Sequence, residues 1–143
     1  MNYLRTMLLF CAVLLLSCSA LKEQQQRQVL NEGPPLKSVH LLNLPPNVSE
    51  LQLVSSFSEI NKAISDLGYP GAGYRLWKAQ GDSPVEHMYL WEGSWPSQAA
   101  YDTIHESEAY GNATERHGDT LQALRDFQVY QRYSEVTAAV TNR

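Results

Sequence analysis

The residues best equipped for chemistry gather on one strand-like run. In Val85-Glu-His-Met-Tyr-Leu-Trp-Glu92, alternation puts Val85, His87, Tyr89 and Trp91 on one face and Glu86, Met88, Leu90 and Glu92 on the other. A histidine and a tyrosine among aromatic rings can orient one polar group of an otherwise apolar ligand, the usual composition of a small-molecule pocket. Asn43, on an earlier apolar run, adds an amide that both donates and accepts. His87, Asn43 and Tyr89 are therefore the candidates for proton handling. Asn43, Trp77, His87, Tyr89 and Trp91 are the candidates for a ligand site. The next residues, through Trp95 and Ser97 to His105, read as a strand exit and the start of a helix. His105 is expected to be a solvated helix residue, and His117, beside Gly118, to be exposed.

Other chemistries lack their residues. His40, His87, His105 and His117 form no close-spaced set and no i, i+4 pair, so no metal centre is expected. Gly71-Ala-Gly73 follows a helix and precedes a strand, the reverse of a phosphate cradle. No serine sits in a nucleophile elbow. Asn47-Val-Ser49 and Asn112-Ala-Thr114 are glycosylation sequons by pattern only. No cofactor is expected.

These residues need a scaffold, and the apolar pattern predicts one. Val39 to Leu44 is a short apolar run stopped by Pro45-Pro46, as a buried strand would be. Ser49 and Gln52 make a capping box, with Val48 and Leu53 as a hydrophobic staple. Leu51, Val54, Phe57, Ile60, Ile64 and Leu67 follow at helical steps, ending at Gly68. Strands are expected over 74–80 and 85–92, joined by a Gly81-Asp-Ser-Pro84 turn. A second helix is expected from about Ser97 to Leu124, interrupted near Tyr110-Gly111 and His117-Gly118, then a last strand over 127–136. The order strand, helix, strand, strand, helix, strand is the ferredoxin-like βαββαβ unit: a four-stranded antiparallel sheet with two helices on one face. The bare sheet face, carrying Trp77, Tyr89 or Trp91, Tyr130 and Tyr133, would show water a large apolar patch, which a second copy would cover.

The 143 residues have room for one domain, with 15 acidic against 11 basic side chains and no basic cluster. Nucleic acid is therefore not an expected partner. At the N-terminus a lone Arg5 precedes the apolar run Met7 to Leu16, which is too short to span a bilayer and has the length of a signal-peptide core. The segment Leu15-Leu16-Ser17-Cys18 resembles a bacterial lipobox. That resemblance implies cleavage before Cys18 and its lipidation. The expected organisation is a signal peptide over 1–17, a flexible tether over 18–37, the domain over 38–137 and a frayed tail over 138–143. Anchoring to the cell envelope would come from lipid, and Ser19 points to the outer membrane, facing the periplasm, over the inner one.

The topology, together with Trp91-Glu92, Ala100-Tyr101 and Ser107-Glu108-Ala109-Tyr110, resembles the dimeric α+β barrel superfamily and its antibiotic-biosynthesis monooxygenase-like domains. The resemblance implies a homodimer whose sheets close into a barrel, with a small-molecule pocket between each sheet and its helices. Some members oxidise aromatic polyketides or quinols without metal or flavin. Others degrade haem with an asparagine on the first strand and a tryptophan and a histidine on the second helix. Asn43 matches the first of these, while Ile104 and Thr114 stand where the other two would be. The expected function is therefore a lipid-anchored dimer binding a small apolar or aromatic molecule without catalysis. The alternatives are a cofactor-independent monooxygenase and a purely structural lipoprotein.

Overall fold

A computed structural model describes residues 33–81 and 84–136. The signal peptide, Cys18, residues 18–32 of the expected tether and the 138–143 tail lie outside the described residues.

Strand β1 is Leu36–Leu42, beginning two residues inside the expected tether. It stops before Asn43 because that side chain turns to the 86–88 segment: Nδ2 donates to the Glu86 carbonyl (2.9 Å) and Oδ1 accepts from the Met88 amide (2.9 Å). Pro45 and Pro46, lacking amide protons, could not have continued the ladder.

Helix α1 is Glu50–Asp66, opened by the expected capping box, in which Ser49 Oγ accepts from the Gln52 amide and Gln52 Oε1 from the Ser49 amide. Its buried stripe differs from the expected one. Leu53, Phe57, Ile60 and Ile64 point inward, a run of i, i+4, i+7, i+11, whereas Leu51 is 79% exposed and Val54 and Leu67 also face solvent. Ser56 completes the stripe because its hydroxyl donates to the Gln52 carbonyl (2.9 Å), so no polar group is left bare.

Strand β2 is Gly73–Lys78 and β3 is Tyr89–Trp95. β3 starts four residues later than the expected 85–92, so Val85 and His87 lie in the preceding loop and do not share a strand face with Tyr89 and Trp91. The Asn43 side chain takes up the polar groups of Glu86 and Met88 that a longer strand would have used. β3 runs on through Gly93, which the sequence suggested was an exit turn.

The second helical stretch comprises α2 (Gln98–His105), α3 (Glu108–Glu115) and α4 (Gly118–Ala123), followed by a 3-10 turn at Arg125–Phe127. The first break falls at Glu106-Ser107, not at Tyr110-Gly111. Ser107 causes it: its hydroxyl donates to the Ile104 carbonyl (2.7 Å) and accepts from the Tyr110 amide (3.2 Å), closing one helix and capping the next. The second break comes at Arg116-His117, one residue ahead of the expected His117-Gly118, and Gly118 already opens α4. Strand β4 is Gln128–Ser134.

The four strands form one antiparallel sheet in the order β2-β3-β1-β4, with the helices on one face: the ferredoxin-like α+β fold. The register sorts the faces. His40 stands opposite Trp91 and Tyr130, and Trp91 opposite Leu76, so this row shares one face. Trp91 and Tyr74 meet Phe57 of α1 at 4.9 and 5.5 Å between ring centroids, so that face is the covered one. The open face carries Leu41, Trp77, Leu90, Val129 and Tyr133. Trp77 and Tyr133 are exposed there as expected, at 51% and 55%. Tyr89, Trp91 and Tyr130 belong to the helix side. Among the described residues, no helix is long and apolar enough to cross a membrane.

Candidate functional site

Between the covered sheet face and α2–α4 lies a cavity of about 590 Å³. Its floor is the aromatic row of the sheet. His40 is stacked on Trp91 (4.0 Å between centroids, 12° between planes) and tilted against Tyr130 (4.6 Å). Its Nδ1 lies 2.7 Å from Gln128 Oε1, an acceptor, so Nδ1 carries the proton. Burial lowers the His40 pKa and the Gln128 bond only partly offsets it, so the ring is neutral at pH 7.

The wall is built from Tyr101 and His105 of α2 and Tyr110 of α3. Tyr101 and His105 are one helical turn apart and stack at 3.8 Å. His105 is also edge-on to Trp95 (4.8 Å), and its Nδ1 donates to the Tyr101 carbonyl (2.8 Å). Burial depresses the His105 pKa, so this ring too is neutral at pH 7. Its Nε2 lies 3.2 Å from the Tyr74 hydroxyl, which in turn lies 2.6 Å from that of Tyr110. Desolvation pushes Tyr74 well above the ordinary phenol value and Tyr110 up to about 12, so both stay protonated.

One polar atom of the cavity floor, itself shielded from the open space, is unsatisfied. The Trp91 indole N–H is buried and has no partner among the described residues. A buried donor left unpaired costs about 1–3 kcal/mol. Arg125 and Thr114 border the same space.

Of the sequence candidates, only Trp91 lines this cavity. Asn43 is occupied by the 86–88 loop. His87 lies half-buried in that loop. Tyr89 donates its hydroxyl to Glu50 (2.6 Å) at the surface, beneath Lys78. Trp77 lies on the open face, where its indole donates to Glu92 (2.9 Å), and borders a shallower groove of about 460 Å³ with Val54 and Phe57. His87, Asn43 and Tyr89 therefore do not converge on one site. His105 is a cavity residue rather than a solvated one, and its neighbour Ile104 is buried in the core. His117 is likewise largely covered, its Nε2 3.1 Å from Glu59. Sequence reasoning passed over His40, Tyr74, His105 and Tyr110. Two signals could have found them: the i, i+4 pair Tyr101/His105 and the alternation Ser38, His40, Leu42. Among the described residues, no group of three His, Cys, Asp or Glu side chains is placed to hold a metal ion.

No family model and no curated protein matches the chain. Solved structures do. The methylated RPA0582 protein of Rhodopseudomonas palustris is similar at 13% identity over 76% of this chain and 85% of its own, with a TM-score of 0.51. At3g17210 from Arabidopsis thaliana is similar at 14% identity over 73% and 99%, with a TM-score of 0.50. A dabb family protein of Mesorhizobium loti with a ferredoxin-like fold is similar at 11% identity over 73% and 100%, with a TM-score of 0.49. At such identities the likeness bears on the fold alone.

Proposed function

We propose that the protein is a lipid-anchored homodimer of the bacterial envelope that binds a small aromatic molecule between the sheet and helices of each subunit. The observation that carries the binding reading is the orphaned Trp91 N–H beside an aromatic cavity of about 590 Å³. That volume lies within the roughly 300–1,000 Å³ of small-molecule sites, and the aromatic rings of its floor and wall favour a planar ligand. The dimer is supported by the apolar open face and the anchor by the lipobox at Leu15 to Cys18. No catalytic step is assigned.

The binding test is a fluorescence titration with naphthalene and indole derivatives that carry one hydroxyl or carbonyl group. Saturable quenching is expected, and Trp91→Phe, which keeps an aromatic ring but removes the N–H along with the pyrrole half of the indole, should weaken affinity about tenfold. Binding of equal strength in Trp91→Phe, or no saturable response from any probe, rules the reading out. For the anchor, Cys18→Ala should release the protein from the membrane fraction, and retention there would refute lipidation.

A further inference from the structure

Three side chains lining the cavity, Tyr110, Tyr74 and His105, form a chain whose direction the backbone dictates. The Tyr101 carbonyl can only accept, so its 2.8 Å bond places the His105 proton on Nδ1 and leaves Nε2 as an acceptor. Nε2 lies 3.2 Å from the Tyr74 hydroxyl, which must therefore donate to it. Having spent its proton there, Tyr74 can only accept from Tyr110, 2.6 Å away. Tyr110 in turn has no proton left for the cavity it borders and presents lone pairs to any occupant. The opposite ordering keeps the bond to Tyr110 but sets a Tyr74 oxygen lone pair against that of Nε2, so the bond to His105 is lost.

Resting on the ligand-binding reading, we propose that the Tyr110-Tyr74-His105 chain makes the cavity selective for an aromatic ligand bearing a hydroxyl donor, and that protonation of His105 reverses the chain. With a proton on Nε2, His105 donates to Tyr74, Tyr74 donates to Tyr110, and Tyr110 donates into the cavity. The site then holds a carbonyl or other acceptor instead. No proton leaves the chain in either state, since Tyr74 and Tyr110 keep theirs throughout the neutral range.

The groups around His105 set where this happens. Tyr101 and Asp102 face it from its own helix, Tyr110 from α3, Tyr74 from β2 and Arg132 from β4. Desolvation and Arg132 disfavour the imidazolium, while the Tyr101 carbonyl and Asp102 favour it. Desolvation dominates, so the reversal falls below the ordinary imidazole value of 6.5. The chain is therefore in its hydroxyl-accepting direction at neutral pH and inverts only in acid.

The test uses the full-length protein and two probes of like shape that stay uncharged across the series, 2-naphthol (donor) and 2-acetonaphthone (acceptor). Their dissociation constants are measured by fluorescence from about pH 7.5 down to about pH 4.5. Near pH 7.5 the naphthol should bind about tenfold more tightly, the worth of one hydrogen bond, and the preference should vanish or invert in acid. Tyr110→Phe, which cuts the chain but leaves His40 in place, should bring the two probes level at every pH. A preference independent of pH in the native protein overturns the proposal while leaving ligand binding intact. A pH-dependent inversion that survives in Tyr110→Phe assigns it to His40 and overturns the proposal equally. If neither probe binds, both readings fail together.

Discussion

Gly93 shows how one residue shapes the site. A Cβ there would sit 2.3 Å from Ser38 Oγ and 2.9 Å from the Trp95 ring, distances that packed atoms do not tolerate. The missing side chain lets the Trp95 ring fold over the strand, donate to Ser38 (3.3 Å) and press edge-on against His105 and Tyr74. Gly93→Ala should therefore destabilise the fold by about 1–3 kcal/mol, the cost of overpacking, read as a lower Tm or urea midpoint. Asn43, expected to contact ligand, is instead a loop clamp. Asn43→Ala should cost about 1 kcal/mol of stability and leave ligand affinity within twofold. His105 illustrates why the site was only partly legible. A histidine one position from a core isoleucine sits about 100° round the helix. That angle is solvent when one element covers the helix, but here the sheet rings fill it. The neighbouring rings come from β2, β3 and α3, and nothing local in the sequence reports their arrival.

The elements were read well where local chemistry decides them and poorly where long-range contact does. The capping box of α1 and the helix break near His117 were legible because each depends on residues within a turn. The inward stripe of α1 was not, because Leu51/Val54 and Leu53/Phe57 both recur at helical spacing and only packing against the sheet chooses between them. That choice has a measurable consequence. Leu53→Ala should cost about 2–5 kcal/mol, whereas Leu51→Ala, at 79% exposure, should stay within about 0.5 kcal/mol, both by denaturant unfolding. A large effect at Leu51 would mean that its face is buried against something else. The late start of β3 was equally hidden: alternation over 85–92 fits a strand, but the competing Asn43 bonds come from forty-odd residues upstream.

At the scale of the molecule, the open sheet face sets the remaining expectation. Leu41, Val129 and Tyr133 on one side and Trp77 on the other flank charged residues at its centre, where the exposed Arg75 stands opposite Glu92 in the register. There Glu92 accepts from Lys37, from Ser94 (3.0 Å) and from the Trp77 indole (2.9 Å). The Lys37 contact comes first among the causes that hold the Glu92 pKa below the ordinary 4.5, outweighing the opposing effect of its burial. A carboxylate satisfied in this way can be covered by a second sheet without leaving a bare charge. The apolar rim supplies the drive, so Val129→Glu, which places a new unpaired charge on it, should weaken self-association by on the order of a hundredfold, seen as a monomer in sedimentation velocity. If the native chain is itself monomeric at micromolar concentration, the dimer is wrong. Acid tests the cluster separately. Because the folded pKa is depressed, the stabilisation from Glu92 is fully present above about pH 4.5 and is lost as pH falls through the lower folded value. Glu92→Gln removes that titration, so its urea midpoint should fall less steeply with acid than that of the native protein. Parallel acid limbs in the two proteins would show that the carboxylate gains nothing from its three donors.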